Sequence, residues 1–142
     1  MAAGGAGTGS LVSMWSGWGP QLRSVLRIVA ALMFTLAGTA ILFAFPAGMP
    51  PSGGTAPFLS QIWIGGFLEL VGGALLVLGL FTRPVAFVLS GEMAVAYFQF
   101  HARGGFWPTL NGGIPAVLYC FLWLYFSAAG AGPWSLDARR GK

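Results

Sequence analysis

The chain has 142 residues, 56% of them hydrophobic and only 7% charged, with seven Lys and Arg against three Asp and Glu. A water-soluble domain carries about 25% charged residues, so the composition excludes an ordinary soluble enzyme. Basic residues standing singly between apolar runs exclude the basic face of a nucleic-acid binder, and point instead to an all-α membrane protein whose arginines set orientation and meet anionic headgroups.

Residues 1–20, MAAGGAGTGSLVSMWSGWGP, read as a flexible Gly-rich tail without the basic start and apolar core of a cleavable signal peptide. Trp15 and Trp18 near its end are amphipathic rings of the kind that settle at the headgroup level. A membrane domain over residues 21–137 follows. A spanning helix needs roughly 20 mostly apolar residues, since the hydrocarbon is about 30 Å thick. Four segments meet or approach that length: 22–45, 62–81, 84–100 and 113–129. The first stops at Pro46, before the Pro- and Gly-rich AGMPPSGGTAPF. The third is short, and its Pro84 suits a first helical turn. Residues 138–142 form a basic C-terminal tail.

The expected fold is thus an all-α bundle of four transmembrane helices. Each crossing reverses the side, so the N-terminus, the Thr82–Arg83 loop and the C-terminus share a face holding Arg23, Arg27, Arg83, Arg139, Arg140 and Lys142. The other face holds Arg103 alone, and the basic excess orients both termini to the cytoplasm. So short a loop makes spans two and three antiparallel neighbours.

Glu69 lies well inside span two, where a lipid-facing carboxylate would cost several kcal/mol. Gly65, Gly72 and Gly79 fall on one stripe with Gly66 and Gly73 beside it, and Glu69 shares that small-residue face, where another helix approaches closely. Glu92 is central in span three, with Gln99 on the same face. Counting about 1.5 Å per residue from the cytoplasmic ends brings Arg27 and Glu92 to similar depth, which predicts an Arg27–Glu92 ion pair. The two carboxylates read either as structural groups or as proton-handling, quinone-facing ones. His101 opens the loop HARGGFWPTLNGG near Arg103, Trp107 and Asn111. It reads either as an interfacial residue or as a hydrogen-bond partner for a quinone carbonyl. Tyr97, Tyr119 and Tyr125 read as packing or interface residues.

One His and one Cys cannot supply an iron–sulfur cluster, a four-ligand zinc site or bis-histidine haem ligation. No metal and no intrinsic cofactor is expected, and Cys120, inside an apolar run, reads as packing. Phosphate-loop, dinucleotide and G-x-S-x-G patterns are absent. The chain does not read as an enzyme by itself.

ELVGGALLVLGLFTRP (Glu69 to Pro84), the stretch Glu92 to His101 followed by GGFWP and NGG, and GPWSLD (Gly132 to Asp137) together resemble the DoxX family of small four-helix membrane proteins. Arg27 and Gly38 fit its weaker first-span pattern. The resemblance implies a bundle associated with membrane redox systems, such as a small subunit of thiosulfate:quinone oxidoreductase, in a prokaryotic cytoplasmic membrane. It admits a quinone as cofactor. Two positions depart from the family, which often has Lys after the first-span glycine and Glu after the Asn-Gly-Gly turn, where this chain has Ile41 and Ile114.

Three functions follow as expectations. The first is an accessory subunit of a quinone-linked redox system, with Glu69, Glu92 and His101 as polar groups around the headgroup. The second is a structural subunit docked on a larger respiratory or photosynthetic complex through the glycine face of span two and aromatics such as Trp63 and Trp123. The third is a small transporter or proton-conducting protein. The expected partners are membrane lipids and other membrane subunits, with no nucleic acid.

Overall fold

A computed structural model describes residues 6–141, which are helical with no strand beyond an isolated Met49–Gly54 bridge among the described residues. Where the sequence predicts a flexible tail to residue 20, helix α1 spans Ala6–Gly17 and passes at Trp18 into α2, Gly19–Phe43. Pro20 fits the start of α2 because the first helical N–H groups have no intrahelical partner to lose. The part of the tail covering residues 1–5, and Lys142, lie outside the described residues.

Helix α2 ends at Ala44, which takes a left-handed conformation at φ 54° just before Pro46. The following loop folds back, Ala56 N–H donating to Ile41 O at 2.9 Å. Helix α3, Gln61–Leu78, starts at Ser60, whose hydroxyl accepts from Trp63 N–H at 3.2 Å. It stops at Gly79, at φ +65°, a conformation that favours glycine. The turn to α4 (Thr82–Ala96) is therefore Gly79 to Phe81, and Thr82 and Arg83, expected as the loop, are helical.

Helix α4 continues through a π turn, Tyr97–His101, and a 3-10 turn, Ala102–Gly104, to the short α5, Pro108–Asn111. Helix α6 spans Ile114–Ala129, and α7, Leu136–Arg140, occupies most of the expected basic tail. Ser135 caps α7 by accepting from Ala138 N–H at 3.1 Å.

Helices α2 and α3 pack extensively on each other, as do α4 and α6, while the α3–α4 seam is thinner. Between the pairs lies a core of Phe34, Leu76, Leu89, Met93, Trp123 and Phe126. The outward faces are also apolar: Val25 and Val29 on α2, Phe67 and Val71 on α3, Phe87 and Val95 on α4, and Leu118 and Phe121 on α6 are all exposed. A belt that apolar on every side is not a surface for water. Two helices, Gly19–Phe43 and Gln61–Leu78, are long and apolar enough to cross a membrane, and Ile114–Ala129 is apolar but shorter.

Candidate functional site

The glycines of α3 divide between two neighbours. Gly66 and Gly73 face α2: a Cβ on Gly66 would lie 2.5 Å from Ile41 Cγ2, and one on Gly73 3.2 Å from Ala31 O. Gly38 of α2 answers them, since its added Cβ would lie 2.6 Å from Leu70 N. Gly65 and Gly72 face α4, opposite Glu92 and Leu89, and Gly79 lies against Arg27 and Ser135. The glycine face is thus filled by this chain's own helices, so it offers no docking surface to another subunit. Trp123, expected at such a surface, is 0% exposed. It packs on Phe34 and Tyr119 at ring distances of 5.4 and 5.6 Å. Trp63 remains half-buried between Phe58 and Phe67.

Arg27 is fully buried, and its partners are backbone carbonyls: Ala131 O, Trp134 O at 2.7 Å and Val77 O at 3.5 Å. Glu92 is not among them, so the expected Arg27–Glu92 ion pair does not form. Counting depth from Leu22 places the edge of the bundle too early, because Ser24, one turn before Arg27, already lies beneath the bundle beside Gly132 and Trp134. Helical side chains also tilt toward the N-terminus, which carries the Arg27 guanidinium down to the Gly79 turn.

Glu92 instead turns toward α3. Its Oε1 lies 3.3 Å from where a Cβ on Gly65 would sit, and Gly65 precedes Glu69 by one helical turn. Glu69 and Glu92 are close enough for their charges to interact, and Tyr119 is within the field of Glu69. Each carboxylate keeps one oxygen, Oε2, buried without a hydrogen-bond partner. One turn outward from Gly65, the Gln61 and Gln99 side chains bond to each other across the same seam. The outer half of the α3–α4 seam is therefore polar, running Gln61–Gln99, Gly65–Glu92, Glu69. Its inner half is apolar, closed by Gly72 against Leu89 and by the fully buried Leu76.

His101 stands apart from this seam. It lies nine residues beyond Glu92, roughly 13 Å by helical rise, and its Nδ1 is 3.2 Å from Asn111 O. Tyr97 donates to Phe106 O and accepts from Asn111 Nδ2 at 3.4 Å. Asn111 Nδ2 also donates to Gly105 O at 2.7 Å, and its Oδ1 accepts from Gly113 N–H at 2.8 Å. This cluster holds the 101–113 loop over the end of α4.

At the basic end, GPWSLD forms a strap. Trp134 N–H donates to Ser24 Oγ at 3.2 Å, and Asp137 N–H to Gly79 O at 2.9 Å. The Asp137 carboxylate accepts from Phe81 N–H at 2.9 Å and Thr82 N–H at 2.8 Å, capping α4 from another part of the chain. Burial pushes the Asp137 carboxyl up, but those amides and the charge of Arg140 outweigh it and hold the group below its ordinary value. Sequence reasoning assigned no role to Gln61, Ser24 or Asp137. Gln61 could have been found, being four and eight residues before Gly65 and Glu69 on one helical face.

The DoxX family model matches residues 22–102, from α2 through the π turn, including Arg27, Glu69 and Glu92. An uncharacterized protein of Haemophilus influenzae (strain ATCC 51907 / DSM 11121 / KW20 / Rd) is 48% identical over 121 residues, covering 83% of this chain and 90% of that relative. No solved structure matches the chain. With more than half of its length matched by the family model, and a relative this similar over most of both sequences, the chain belongs to the DoxX family.

Proposed function

We propose that this chain crosses a prokaryotic cytoplasmic membrane four times, through α2, α3, α4 with its π turn, and α6, with both ends cytoplasmic, and serves as an accessory subunit of a quinone-linked redox system. The apolar belt supports the membrane reading, and five arginines at one end against Arg103 at the other support the orientation. That a similar protein occurs in a bacterium supports the prokaryotic part of the reading.

The observation that carries the redox reading is the α3–α4 seam. Two carboxylates lie along it with a buried, unpartnered oxygen each, and intramembrane ionisable groups are expensive, so their presence there points to a function. A quinone headgroup changes its proton count as it is reduced, and a carboxyl pair with spare oxygens can bond its carbonyls or hydroxyls. The docked structural reading keeps Trp63 but not its glycine face or Trp123, which are occupied internally. The transport reading is weakened by the apolar closure at Leu76 and Leu89, which stops the polar seam partway.

The test is purification in mild detergent, solvent extraction of bound quinone, and quinone-reduction rates in native membranes for wild type and Glu69→Gln. Retained quinone that is lost in the variant, with a slower rate, supports the proposal. Protein that retains no quinone and a rate that Glu69→Gln leaves unchanged would sink it.

A further inference from the structure

The basic end carries a recess of about 700 Å³ bounded by Arg23, Arg83, Phe81, Gly130 and Pro133. Arg23 comes from α2 and Arg83 from α4, and both reach the last carbonyls of α6. Arg23 donates to Ala129 O at 3.0 Å, and Arg83 to Ala128 O and to Ser127 O at 3.3 Å. Those neighbouring carbonyls hold both guanidinium groups at the recess without neutralising them, since neither has a carboxylate partner among the described residues. Arg23 Nε is buried without an acceptor. Asp137 also borders the recess, but its two oxygens are taken by the Phe81 and Thr82 amides.

A second cavity, of about 530 Å³, begins at the same Arg23 and runs up the outside of the helices between Leu22, Leu26, Val29 and Tyr125. Its lining is apolar apart from Arg23 and the Tyr125 hydroxyl. Arg23 lines both spaces, one of which also carries Arg83 while the other is shaped by side chains that face hydrocarbon. An occupant that matches both carries a phosphate at one end and an alkyl chain at the other.

We infer that the Arg23–Arg83 recess and the adjoining α2–α6 groove together hold one anionic phospholipid, its phosphate at the two guanidinium groups and an acyl chain along Leu26 and Val29. The inference rests on the membrane reading above and on the basic end facing the anionic cytoplasmic leaflet. It does not depend on the redox role.

The experiment uses full-length, delipidated protein in detergent, with lipid adducts counted by native mass spectrometry. The probes are phosphatidylglycerol, phosphatidylcholine with the same acyl chains, and inorganic phosphate. Phosphatidylglycerol is expected to bind about tenfold more tightly than phosphatidylcholine, with no adduct from phosphate alone. R23Q/R83Q removes that preference, whereas R103Q/R139Q, which deletes two charges elsewhere, keeps it. Val29→Trp alters an exposed position that lines the groove, and it lowers phosphatidylglycerol binding with the fold intact by circular dichroism. Equal binding of the two lipids, unchanged binding in R23Q/R83Q or in Val29→Trp, or phosphate binding as tightly as phosphatidylglycerol would each overturn the inference, the last in favour of a free-anion site. Quinone content plays no part in this readout, so it fails or succeeds independently of the redox proposal.

Discussion

Arg27 donates to the carbonyl of Trp134 at 2.7 Å, and this bond ties α2 to a strap more than a hundred residues away in sequence. The same guanidinium also reaches Ala131 O and Val77 O, so one side chain satisfies carbonyls at the end of α3 and on both sides of Gly132. Its charge is buried without a carboxylate in contact, and backbone dipoles together with the more distant Asp137 compensate it.

Removing that guanidinium leaves buried carbonyls unsatisfied. Arg27→Met is therefore expected to destabilise the protein by about 3 kcal/mol, as judged by denaturation with SDS in mixed micelles. Because Glu92 is not a partner, a double-mutant cycle of Arg27→Met with Glu92→Gln is expected to give a coupling energy below about 0.5 kcal/mol. Coupling well above 1 kcal/mol would restore the ion pair.

Asp137 offers a pH-dependent counterpart. Its carboxylate holds the last amide of the α3–α4 turn and the first of α4, and Arg140 and Arg27 are the charges that act on it. Because its folded pKa is depressed from an ordinary 3.8, its contribution is fully present above that value and is lost as pH falls through the lower folded pKa. Asp137→Asn should cost about 1 kcal/mol, as loss of a helix cap does. In paired melts the gap between wild type and variant should hold steady from pH 8 to about 5 and narrow below about 4. A gap that widens on acidification would contradict the assignment.

Much of this was legible in the sequence, and what was not has a common cause. Apolar length found the helix at 113–129 to within one residue of Ile114–Ala129, and glycine spacing marked the side of α3 that meets other helices. Periodicity could not say which neighbour each glycine meets, because Gly66 and Gly73 go to α2 while Gly65 and Gly72 go to α4. Thr82 and Arg83 look like polar loop residues in sequence, yet they are helical because the cap on α4 comes from Asp137. The Arg27–Glu92 expectation fails for the same reason: an in-membrane cation suggests a carboxylate, and the carbonyls of a folded-back strap leave no local pattern. Contacts between distant segments are what a single sequence hides.

The glycine contacts make a graded prediction with an internal control. A Cβ at Gly73 would collide with Thr35 and lie 3.2 Å from Ala31 O, and at Gly38 it would meet Leu70 N at 2.6 Å and Gly66 O at 2.7 Å. At Gly38 the obstacle is backbone, which cannot rotate away as a side-chain tip does, and at Gly73 the Thr35 hydroxyl is backed by Thr35 N at 3.1 Å and Ala31 O. Because helix association in lipid depends on close backbone approach, Gly38→Ala and Gly73→Ala are each expected to cost about 1–3 kcal/mol by forcing α2 and α3 apart. Gly91 has nothing within 4 Å of its added Cβ, so Gly91→Ala should be neutral or stabilising by up to about 1 kcal/mol, as expected from helix propensity alone. SDS unfolding of the three variants side by side checks the order. If Gly91→Ala proved as damaging as Gly38→Ala, close contact at the added Cβ would not be what sets the cost, and the predicted order would fail.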